Sequence, residues 1–394
     1  MKTPRPHAIV LGLSPTGLYV ARELGRSGTP LLGVDTGFAS AGASRYFRST
    51  GGVWYEADNE RLVVRLLEFA ARLEGKAVLI PTSDRYIEFV IEHYARLEPV
   101  FQVAKCYAGV AAQLLDKQKF YQLCERHSVA TPGVWALPSM EDIGQLPEIP
   151  FPCILKPTLI HLAKPFLRGK KLFIVESRAE LLDLAKAIPR ASGSWLVQEI
   201  IPGEESGITL VAAYASENAD AGDAFTARKL RQYPPGFGSA SRVISETLAE
   251  TRAVAETLVA AIGFSGVYGA EFKRDPRDGI LKIIEINPRP TLWFHASHAA
   301  GKCLVERAYC DLTGLPLARK VEQRDGILWH YALKDAAAAY FYRFRGSRFI
   351  LEAPDLAAGG SVKGRCWPVF SLTDPLPVVA ELAVYVMKFF RRVF

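Results

Sequence analysis

The first part of the chain alternates short apolar runs with amphipathic segments. Residues 7–13 (HAIVLGL), 30–35 (PLLGVD) and 77–82 (AVLIPT) are almost wholly apolar, as strands buried on both faces are. Between them, Pro15–Arg26 and Glu60–Leu73 carry apolar residues at helical spacing. Strands that alternate with helices predict a parallel sheet covered by helices in this region.

A second alternation, with a period of two, lies near residue 270. Val267–Lys273 and Ile280–Ile286 flank an Asp-Pro-Arg-Asp-Gly turn and predict a β-hairpin. The hairpin would bring together the carboxylates of Glu271 and Glu285, with the amide of Asn287 beside them. Two carboxylates, an amide oxygen and phosphate oxygens from a substrate suit Mg²⁺. The alternative is a surface hairpin with two solvated acids.

Other charged side chains near these patterns are candidate ligand contacts. Lys156 lies at the end of the apolar run 151–157 (FPCILKP), where its ammonium group needs an anion or water. Arg289 offers a fork of donors for phosphate or carboxylate. His295 and His298 have the spacing of one helical face. A metal site needs a third ligand, so a polar substrate-side or surface role is favoured for this pair.

Composition narrows the class of protein. A chain of 394 residues, 49% of them apolar, suits two or three domains. The 48 basic and 41 acidic residues give a net charge of +7, which fits a polyanionic small molecule or an anionic membrane surface. Because the sequence has no nucleic-acid-binding motif, we expect no nucleic-acid partner. Six cysteines without a CxxC pair, and no signal-peptide pattern, predict a cytoplasmic protein.

The first strand-to-helix turn leaves two interpretations open. Gly12, Ser14 and Gly17 approximate a GxGxxG phosphate turn, and Asp35 ends the next strand. In one interpretation the glycines only make a tight turn. In the other they bind a dinucleotide, and the protein is an NAD(P)-dependent oxidoreductase.

Six short motifs follow in a fixed order between about residues 115 and 300. They are Asp116-Lys117, LKP at 155–157, QEIIPGEE at 198–205, Arg228-Lys229, AEF at 270–272 and EINPR at 285–289. Their order and spacing resemble those of the ATP-grasp ligases. In the N-terminal half, GLSPTGL, Ser44-Arg45-Tyr46 and PTSD are similar to the carboxylate–amine ligases related to D-aspartate ligase.

The resemblance implies an α/β and α+β fold with three parts. It implies a Rossmann-like domain over residues 1–113, a two-lobed ATP-grasp domain over 114–316, and a C-terminal helical extension over 317–394. Within the ATP-grasp domain it implies a nucleotide lobe at about 130–202 and a metal lobe at about 203–316. The Rossmann-like domain of such ligases does not use a dinucleotide, which favours the tight-turn interpretation of the glycines.

The resemblance also implies the cofactors and the site. The cofactors are ATP and Mg²⁺, with Mn²⁺ as the alternative ion, and the metal ligands are Glu271, Glu285 and Asn287. The nucleotide contacts implied are Lys117 and Lys156 near the phosphates, the segment Gln198, Glu199, Ile200 and Ile201 along the adenine, and Glu204 or Glu205 at the ribose. The catalytic positions implied are Arg228 and Lys229 toward the γ-phosphate and Arg289 on the acyl group.

ATP-grasp ligases activate a carboxylate as an acylphosphate, which an amine then opens with release of phosphate. The resemblance therefore implies small-molecule carboxylate and amine substrates, and no protein nucleophile. One segment departs from the family. Where a glycine-rich flap is usual, residues 157–171 carry one glycine and the basic residues His161, Lys164, Arg168, Lys170 and Lys171. Side-chain cations would then replace backbone donors over the phosphates.

The end of the chain, residues 377–394, predicts an amphipathic basic helix. Glu381, Lys388 and Arg392 share one stripe, and the remaining face is apolar, with Val379, Leu382, Val386, Phe389, Phe390 and Val393. Such a helix suits peripheral contact with the inner face of a membrane. The alternatives are a helix that docks on the protein core and a homodimer contact. A non-catalytic ATP-binding protein at the membrane is a further alternative to the ligase.

Overall fold

The computed structural model describes residues 4–48, 52–159, 167, 172–189, 193–218, 220–345 and 351–393, without the side chains beyond Met387. The strands are β1 Ala8–Leu11, β2 Leu31–Asp35, β3 Val53–Tyr55, β4 Ala77–Pro81, β5 Phe101–Gln102, β6 Val134–Leu137, β7 Cys153–Pro157, β8 Phe173–Val175, β9 Trp195–Glu199, β10 Ile208–Ala215, β11 Asp223–Tyr233, β12 Ser239–Ser245, β13 Gly266–Arg274, β14 Leu281–Asn287, β15 Ile327–His330 and β16 Gly364–Cys366. The α-helices are α1 Pro15–Arg26, α2 Arg45–Arg48, α3 Asn59–Ala70, α4 Asp84–Glu92, α5 Tyr94–Leu97, α6 Val110–Leu115, α7 Lys117–Arg126, α8 Arg178–Ala187, α9 Ala249–Ala261, α10 His295–Ala299, α11 Leu304–Thr313, α12 Ala332–Arg345 and α13 Leu376–Val393. Short 3-10 helices cover Ser40–Ala43, Lys105–Ala108, Met140–Gln145, Glu205–Gly207 and Leu292–Phe294.

The N-terminal strands form a five-stranded parallel sheet in the order β3-β2-β1-β4-β5. The parallel sheet expected from the apolar runs is confirmed. Its first turn is built around two glycines: Gly12 has a φ of +102°, and a Cβ on Gly17 would lie 2.0 Å from the Gly12 carbonyl oxygen. The carboxylate of Asp35 accepts from the backbone N–H groups of Leu13 at 2.6 Å and Thr36 at 2.7 Å. These contacts favour the tight-turn interpretation over a dinucleotide site.

Two further sheets face one another across a cleft. The smaller has the order β6-β9-β7-β8, and the larger has the order β14-β13-β10-β11-β12-β15-β16. A continuous apolar core joins the larger sheet to the N-terminal sheet, and it includes Phe101, Cys106, Ala270 and Phe272. This packing fixes β13 and β14 relative to the N-terminal domain.

Two helices, α6 Val110–Leu115 and α7 Lys117–Arg126, follow one another with one residue between them. Asp116 leaves the helical conformation, and its side chain accepts from the N–H groups of Gln118 and Lys119 as the N-cap of α7. An aspartate at this position satisfies orphan donors of a new helix start. The break places Lys117 on the first turn of α7, beside the β13–β14 hairpin.

The C-terminal segment is continuous with the larger sheet. β15 pairs antiparallel with β12, and β16 pairs parallel with β15. The segment is also held to α1 by a buried ion pair in which Arg22 Nε lies 3.0 Å from Asp374 Oδ2, each side chain 2% exposed. Asp374 accepts in addition from the hydroxyl of Ser44 and the N–H of Arg45. The extension therefore docks on the N-terminal domain.

The last helix, α13, packs against the body through one face. Pro377, Ala380 and Glu381 are buried, whereas Val379 and Leu382 are 64% and 50% exposed. The helix therefore packs on the body through the face that carries Glu381, and the apolar residues Val379 and Leu382 face outward. The side chains of Lys388, Phe389, Phe390, Arg392 and Val393 lie outside the described part of the chain.

Candidate active site

The cleft between the two facing sheets has a volume of about 680 Å³. Its lining comes from all parts of the chain. It includes Ser14, Thr82 and Asp84 from the N-terminal domain, Lys117, Lys156 and Gln198–Ile201 near the small sheet, Lys229, Glu271, Glu285, Asn287 and Arg289 from the large sheet, and Tyr331, Glu381 and Tyr385 from the C-terminal segment.

The predicted hairpin sets the carboxylates side by side. β13 and β14 are antiparallel neighbours, and Glu271 is paired directly with Glu285. The next pair joins Phe272 to Ile283, so Ile284 is the extra residue of a bulge. The carbonyl of Ile284 accepts from the hydroxyl of Tyr121 at 3.0 Å. The bulge thus fixes α7 against the strand that carries Glu285.

Each of these carboxylates is paired with a lysine. Lys229 on β11 reaches across β10 and places its Nζ 2.5 Å from Glu271 Oε2. Lys117 places its Nζ 3.0 Å from Glu285 Oε2. Asn287 donates through Nδ2 to Glu285 Oε1 at 2.9 Å. Two acids, two ammonium groups and one amide therefore form one charged cluster on the cleft floor.

The two carboxyl groups differ in their acidity. Burial raises the pKa of Glu271, against the pull of the Lys229 cation, and the charge of Glu285 adds to the rise. Burial also acts to raise the pKa of Glu285, but Lys117 and the Asn287 hydrogen bond outweigh it and hold that pKa well below its usual range. Glu285 is therefore the firmly ionised member of the pair.

Lys156 lies across the cleft from this cluster. Its Nζ donates to Gln198 Oε1 at 2.5 Å, and the same oxygen accepts from the hydroxyl of Tyr121 at 2.9 Å. Burial and, to a smaller extent, the Lys117 cation lower the pKa of Lys156 to about 7, although the charge of Glu285 acts to raise it. An incoming anion would restore the charge of this ammonium group.

Arg289 bridges the large sheet to the N-terminal domain. Its Nε lies 2.7 Å from Asp84 Oδ1, and its Nη2 lies 3.4 Å from Asn287 Oδ1. The side chain lines the cleft next to the hairpin. The guanidinium is therefore oriented by a residue from the first domain.

Arg228 and Lys229 point to opposite faces of β11, as neighbours on a strand do. Arg228 donates to Glu246 at 2.7 Å through Nε and to the carbonyl of Ser206 at 2.9 Å. Lys229 lines the cleft. The structure thus brings only the second of these predicted catalytic residues to the carboxylates.

The predicted adenine segment, Gln198–Ile201, lines the cleft. The acids predicted to contact the adenine and the ribose form hydrogen bonds with other groups of the protein. Glu199 accepts from the N–H of Gly133 at 2.9 Å and lies 2.5 Å from Arg277 Nη2. Glu204 accepts from the hydroxyl of Ser206 and from the N–H of Asp355.

Glu205 is fully buried. It accepts from the N–H groups of Gln232 and Gly236 and from the hydroxyl of Tyr342. This carboxylate therefore anchors the β11–β12 connection, and neither it nor Glu204 is in the cleft lining.

Three residues in or beside the cleft were not predicted as site residues. Tyr121 lies one helical turn after Lys117, so helical spacing was an available signal. Lys273 lies two residues after Glu271 on the same strand face, and its Nζ donates to the carbonyls of Ile201 and Gly203 at 2.9 and 2.8 Å. Asp84 lies in the PTSD motif, where no local pattern shows that it will meet Arg289.

Two other predictions concern residues outside this cluster. The basic residues of the flap, at 161, 164, 168, 170 and 171, lie outside the described residues.

His298 lies 3.0 Å from Glu23 and 3.5 Å from Cys303. The ligand atoms of these three side chains lie close enough together to hold a metal ion. Arg26 contacts the other ring nitrogen of this histidine at 2.9 Å, and the group lies where α1 meets α11.

Comparison with known families identifies the central body. Residues 114–292 match the family model described as an ATP-grasp domain. The matched stretch includes β6–β14, which make up most of the two facing sheets that enclose the cleft.

A curated relative is D-aspartate ligase from Enterococcus faecium, 28% identical over 224 residues, which are 54% of this chain and 53% of the relative. The chain thus spans about half the length of this relative.

Solved structures extend the likeness beyond this central stretch. N5-carboxyaminoimidazole ribonucleotide synthetase in complex with ADP has a TM-score of 0.65 at 14% identity, over 82% of this chain and 80% of that chain. The biotin carboxylase domain of the Hydrogenobacter thermophilus 2-oxoglutarate carboxylase has a TM-score of 0.60 at 17% identity, over 83% and 74%. At these identities the likeness shows the fold. Across the described residues, the helices are too short or too polar to span a membrane.

Proposed function

We propose that the protein is an ATP- and Mg²⁺-dependent ligase that joins a carboxylate to an amine through an acylphosphate. The observation that carries the proposal is the direct pairing of Glu271 with Glu285 on neighbouring strands, each with its own lysine, opposite Lys156 in one cleft. The similarity to a D-aspartate ligase supports the same reaction class. Six cysteines without a disulfide among them support a reducing compartment, the cytoplasm.

The hairpin fits a hard divalent cation. Its donor set is made of oxygens, from Glu271, Glu285 and the Oδ1 of Asn287, and such a set suits Mg²⁺ or Mn²⁺. Bound there, the ion would neutralise charge on the phosphate oxygens of ATP. Lys117 and Lys229 keep the two carboxylates paired before a ligand arrives.

The residues of the cleft assist two bond exchanges. In the first, an oxygen of the substrate carboxylate bonds to the γ-phosphorus while the bond from that phosphorus to the bridging oxygen breaks, and ADP leaves. Lys156, Lys117 and Lys229 reduce the repulsion between the two anions. In the second, the amine nitrogen bonds to the acyl carbon, the acyl carbon–oxygen bond breaks, and phosphate leaves while the nitrogen loses a proton. Arg289 is placed to bind the acyl group or the departing phosphate.

The test is release of ADP from MgATP across a panel of amino acids and short acyl donors. Release that requires one acid and one amine is expected. Glu285→Gln should lower the rate by roughly 10²–10³-fold, because it removes a charged group from the reacting centre. The matched control is Glu322→Gln, which removes an exposed carboxylate and should leave the rate unchanged. Equal rates in both variants would contradict the proposed role of the hairpin.

We also propose that the outer face of α13 contacts an anionic membrane surface. The apolar residues Val379, Leu382 and Val386 are 64%, 50% and 54% exposed, and Met387 beside them is 44% exposed. An apolar helix face of this kind, followed in sequence by Lys388, Arg391 and Arg392, suits an interface with anionic lipids.

Flotation with phosphatidylglycerol vesicles tests this contact. The wild type is expected to float with these vesicles and not with phosphatidylcholine vesicles. Replacing Val379, Leu382 and Val386 together by serine should abolish flotation, because these side chains supply the buried apolar area. A wild-type protein that stays in the soluble fraction and forms a dimer lost in the triple variant would show a homodimer contact instead.

A further inference from the structure

The hairpin that carries the paired acids also holds the chain that leaves the small sheet. Lys273 lies two residues after Glu271 on β13, and its Nζ donates to the carbonyl of Ile201 at 2.9 Å and to that of Gly203 at 2.8 Å. Ile201 and Lys273 both line the cleft. Residues 199–203, the connecting segment, are therefore fixed at their C-terminal end by a side chain of the large sheet.

This contact is buried. Lys273 is 4% exposed, and a buried amine is costly unless acceptors meet its N–H groups. The carbonyls of Ile201 and Gly203 supply two acceptors. Hydrogen bonds from an ionised donor are roughly twice as strong as neutral ones. Two of them to alternate residues hold the backbone of the connecting segment in one orientation.

The other end of the connecting segment is held by the turn of the same hairpin. Arg277 places its Nη2 2.5 Å from Glu199 Oε1. Arg277 is itself oriented by Asp275, which is fully buried and accepts from Arg277 Nε at 2.9 Å and from Lys282 Nζ at 2.7 Å. The connecting segment therefore cannot move relative to Glu271 and Glu285 without breaking these contacts.

The backbone groups of Ile201 are divided between the protein and the cleft. Its carbonyl accepts from Lys273, and the following Pro202 restricts Ile201 to an extended conformation. Among the described residues, the N–H of Ile201 has no hydrogen-bond partner. The residue is 5% exposed, and backbone N–H groups this deeply placed rarely lack an acceptor. The connecting segment thus offers a fixed donor to a ligand in the cleft.

A fixed donor distinguishes between purine bases. Position N1 of adenine is an acceptor, whereas hypoxanthine and guanine carry an N1–H donor. A donor that faces N1 therefore bonds to adenine and leaves two donors face to face with either of the other bases, which costs binding energy. A carbonyl turned to the same place would reverse the preference. Base selection thus depends on which backbone group of Ile201 is free.

We propose that Lys273 is a positioning residue that sets the base preference of the nucleotide site. By holding the carbonyl of Ile201, it leaves the N–H of this residue as the group that meets N1 of the base. Without Lys273 the carbonyl is released, the peptide can turn, and donor and acceptor both become available at this place. This inference rests on the proposed ligase function and specifies how its nucleotide is selected.

Binding of MgADP and MgIDP tests the inference. Both dissociation constants are measured by calorimetry on the full chain at one fixed Mg²⁺ concentration. The two nucleotides share their ribose and phosphates, so changes at the phosphate end cancel in the ratio of the two constants. The wild type is expected to bind MgADP about tenfold to a hundredfold more tightly, as for one lost hydrogen bond and one unpaired donor. Lys273→Met should reduce this ratio to about threefold or less.

A neighbouring residue on the same strand provides the control. Arg274→Met removes a basic side chain that pairs with the exposed Glu250, and it should keep the wild-type ratio. Lys273→Leu, which also lacks N–H donors, replaces the methionine variant if melting temperatures show that the latter is unfolded. A wild type without preference for MgADP, or a folded Lys273 variant with the wild-type ratio, would overturn the inference.

The outcome is separable from that of the ligase reaction. ADP release that depends on an acid and on Glu285, together with a base preference that does not change in the Lys273 variants, would leave the ligase standing and remove only the role of Lys273. A base preference that depends on Lys273, without ADP release from any acid, would support the nucleotide site and contradict the ligase.

Discussion

The two ends of the cleft are built in different ways. At the metal end, Glu271 and Glu285 come from one hairpin and are paired by strand register alone. At the far end, Glu381 meets Tyr331 only because the C-terminal segment folds back on the body. Local chain geometry is sufficient for the first arrangement, whereas the second depends on long-range docking.

The partners of the acids also differ between the two ends of the cleft. At the metal end the acids have lysine partners, with Lys229 at 2.5 Å from Glu271 and Lys117 at 3.0 Å from Glu285. At the far end, the carboxylate of Glu381 accepts from the hydroxyl of Tyr331. The acids of the hairpin are therefore balanced by charged partners, whereas the acid of the C-terminal segment is held by a neutral hydroxyl.

The largest expected effect is on the docking of the far end. Asp374→Ala would leave Arg22 buried and unpaired, and loss of one partner of a buried pair costs about 3–5 kcal/mol of unfolding free energy. Urea unfolding followed by circular dichroism measures this cost. The control is Asp183→Ala, which breaks an exposed pair with Lys186 and should cost less than about 1 kcal/mol. Similar costs for both variants would mean that the docking does not depend on the buried pair.

The pairing of Glu271 with Glu285 was predictable from the sequence for a physical reason. The hairpin, its turn and the acids at paired positions all lie within one short segment, and strand periodicity decides which side chains share a face. The parallel N-terminal sheet was predictable on the same grounds, from apolar runs separated by helices. The order of six motifs then gave the fold of the central body.

The remaining features depend on contacts between distant parts of the chain. Nothing near Glu381 in the sequence shows that this acid faces inward, because an amphipathic pattern does not state what covers each face. The partner of Arg289 is Asp84, from another domain. Arg228 and Lys229 were both assigned to the cleft, although adjacent strand residues must point to opposite faces, and that rule alone could have separated them.

A variant pair sharpens the description of the metal end. Lys229→Met should lower the rate of ADP release about a hundredfold, since it leaves Glu271 buried without its cation beside the reacting phosphate. Arg228→Met should change the rate by no more than about twofold to threefold, because this side chain lies on the opposite face of β11. The rates are compared at saturating MgATP. Equal losses of rate in the two variants would mean that Arg228 takes part in the reaction.

The smallest effect concerns the proton on Lys156. Its pKa of about 7 lies below the ordinary value for lysine, so above pH 7 the ligand-free protein holds this side chain largely neutral. Unfolding would return the pKa to its ordinary value, so this residue contributes stability that rises with pH above about 7 and is complete above the unfolded pKa. Bound phosphates favour the charged form, so ATP binding at pH 8.5 should take up about one proton.

Calorimetry in two buffers of different ionisation enthalpy measures this uptake. Lys156→Arg should abolish it, because a guanidinium stays protonated throughout this range while the positive charge is kept. The control is Lys186→Arg, at an exposed lysine of α8, where the wild-type uptake should persist. If Lys156→Arg retains the full uptake, another group takes up the proton. Lys156 would then already be charged before ATP binds.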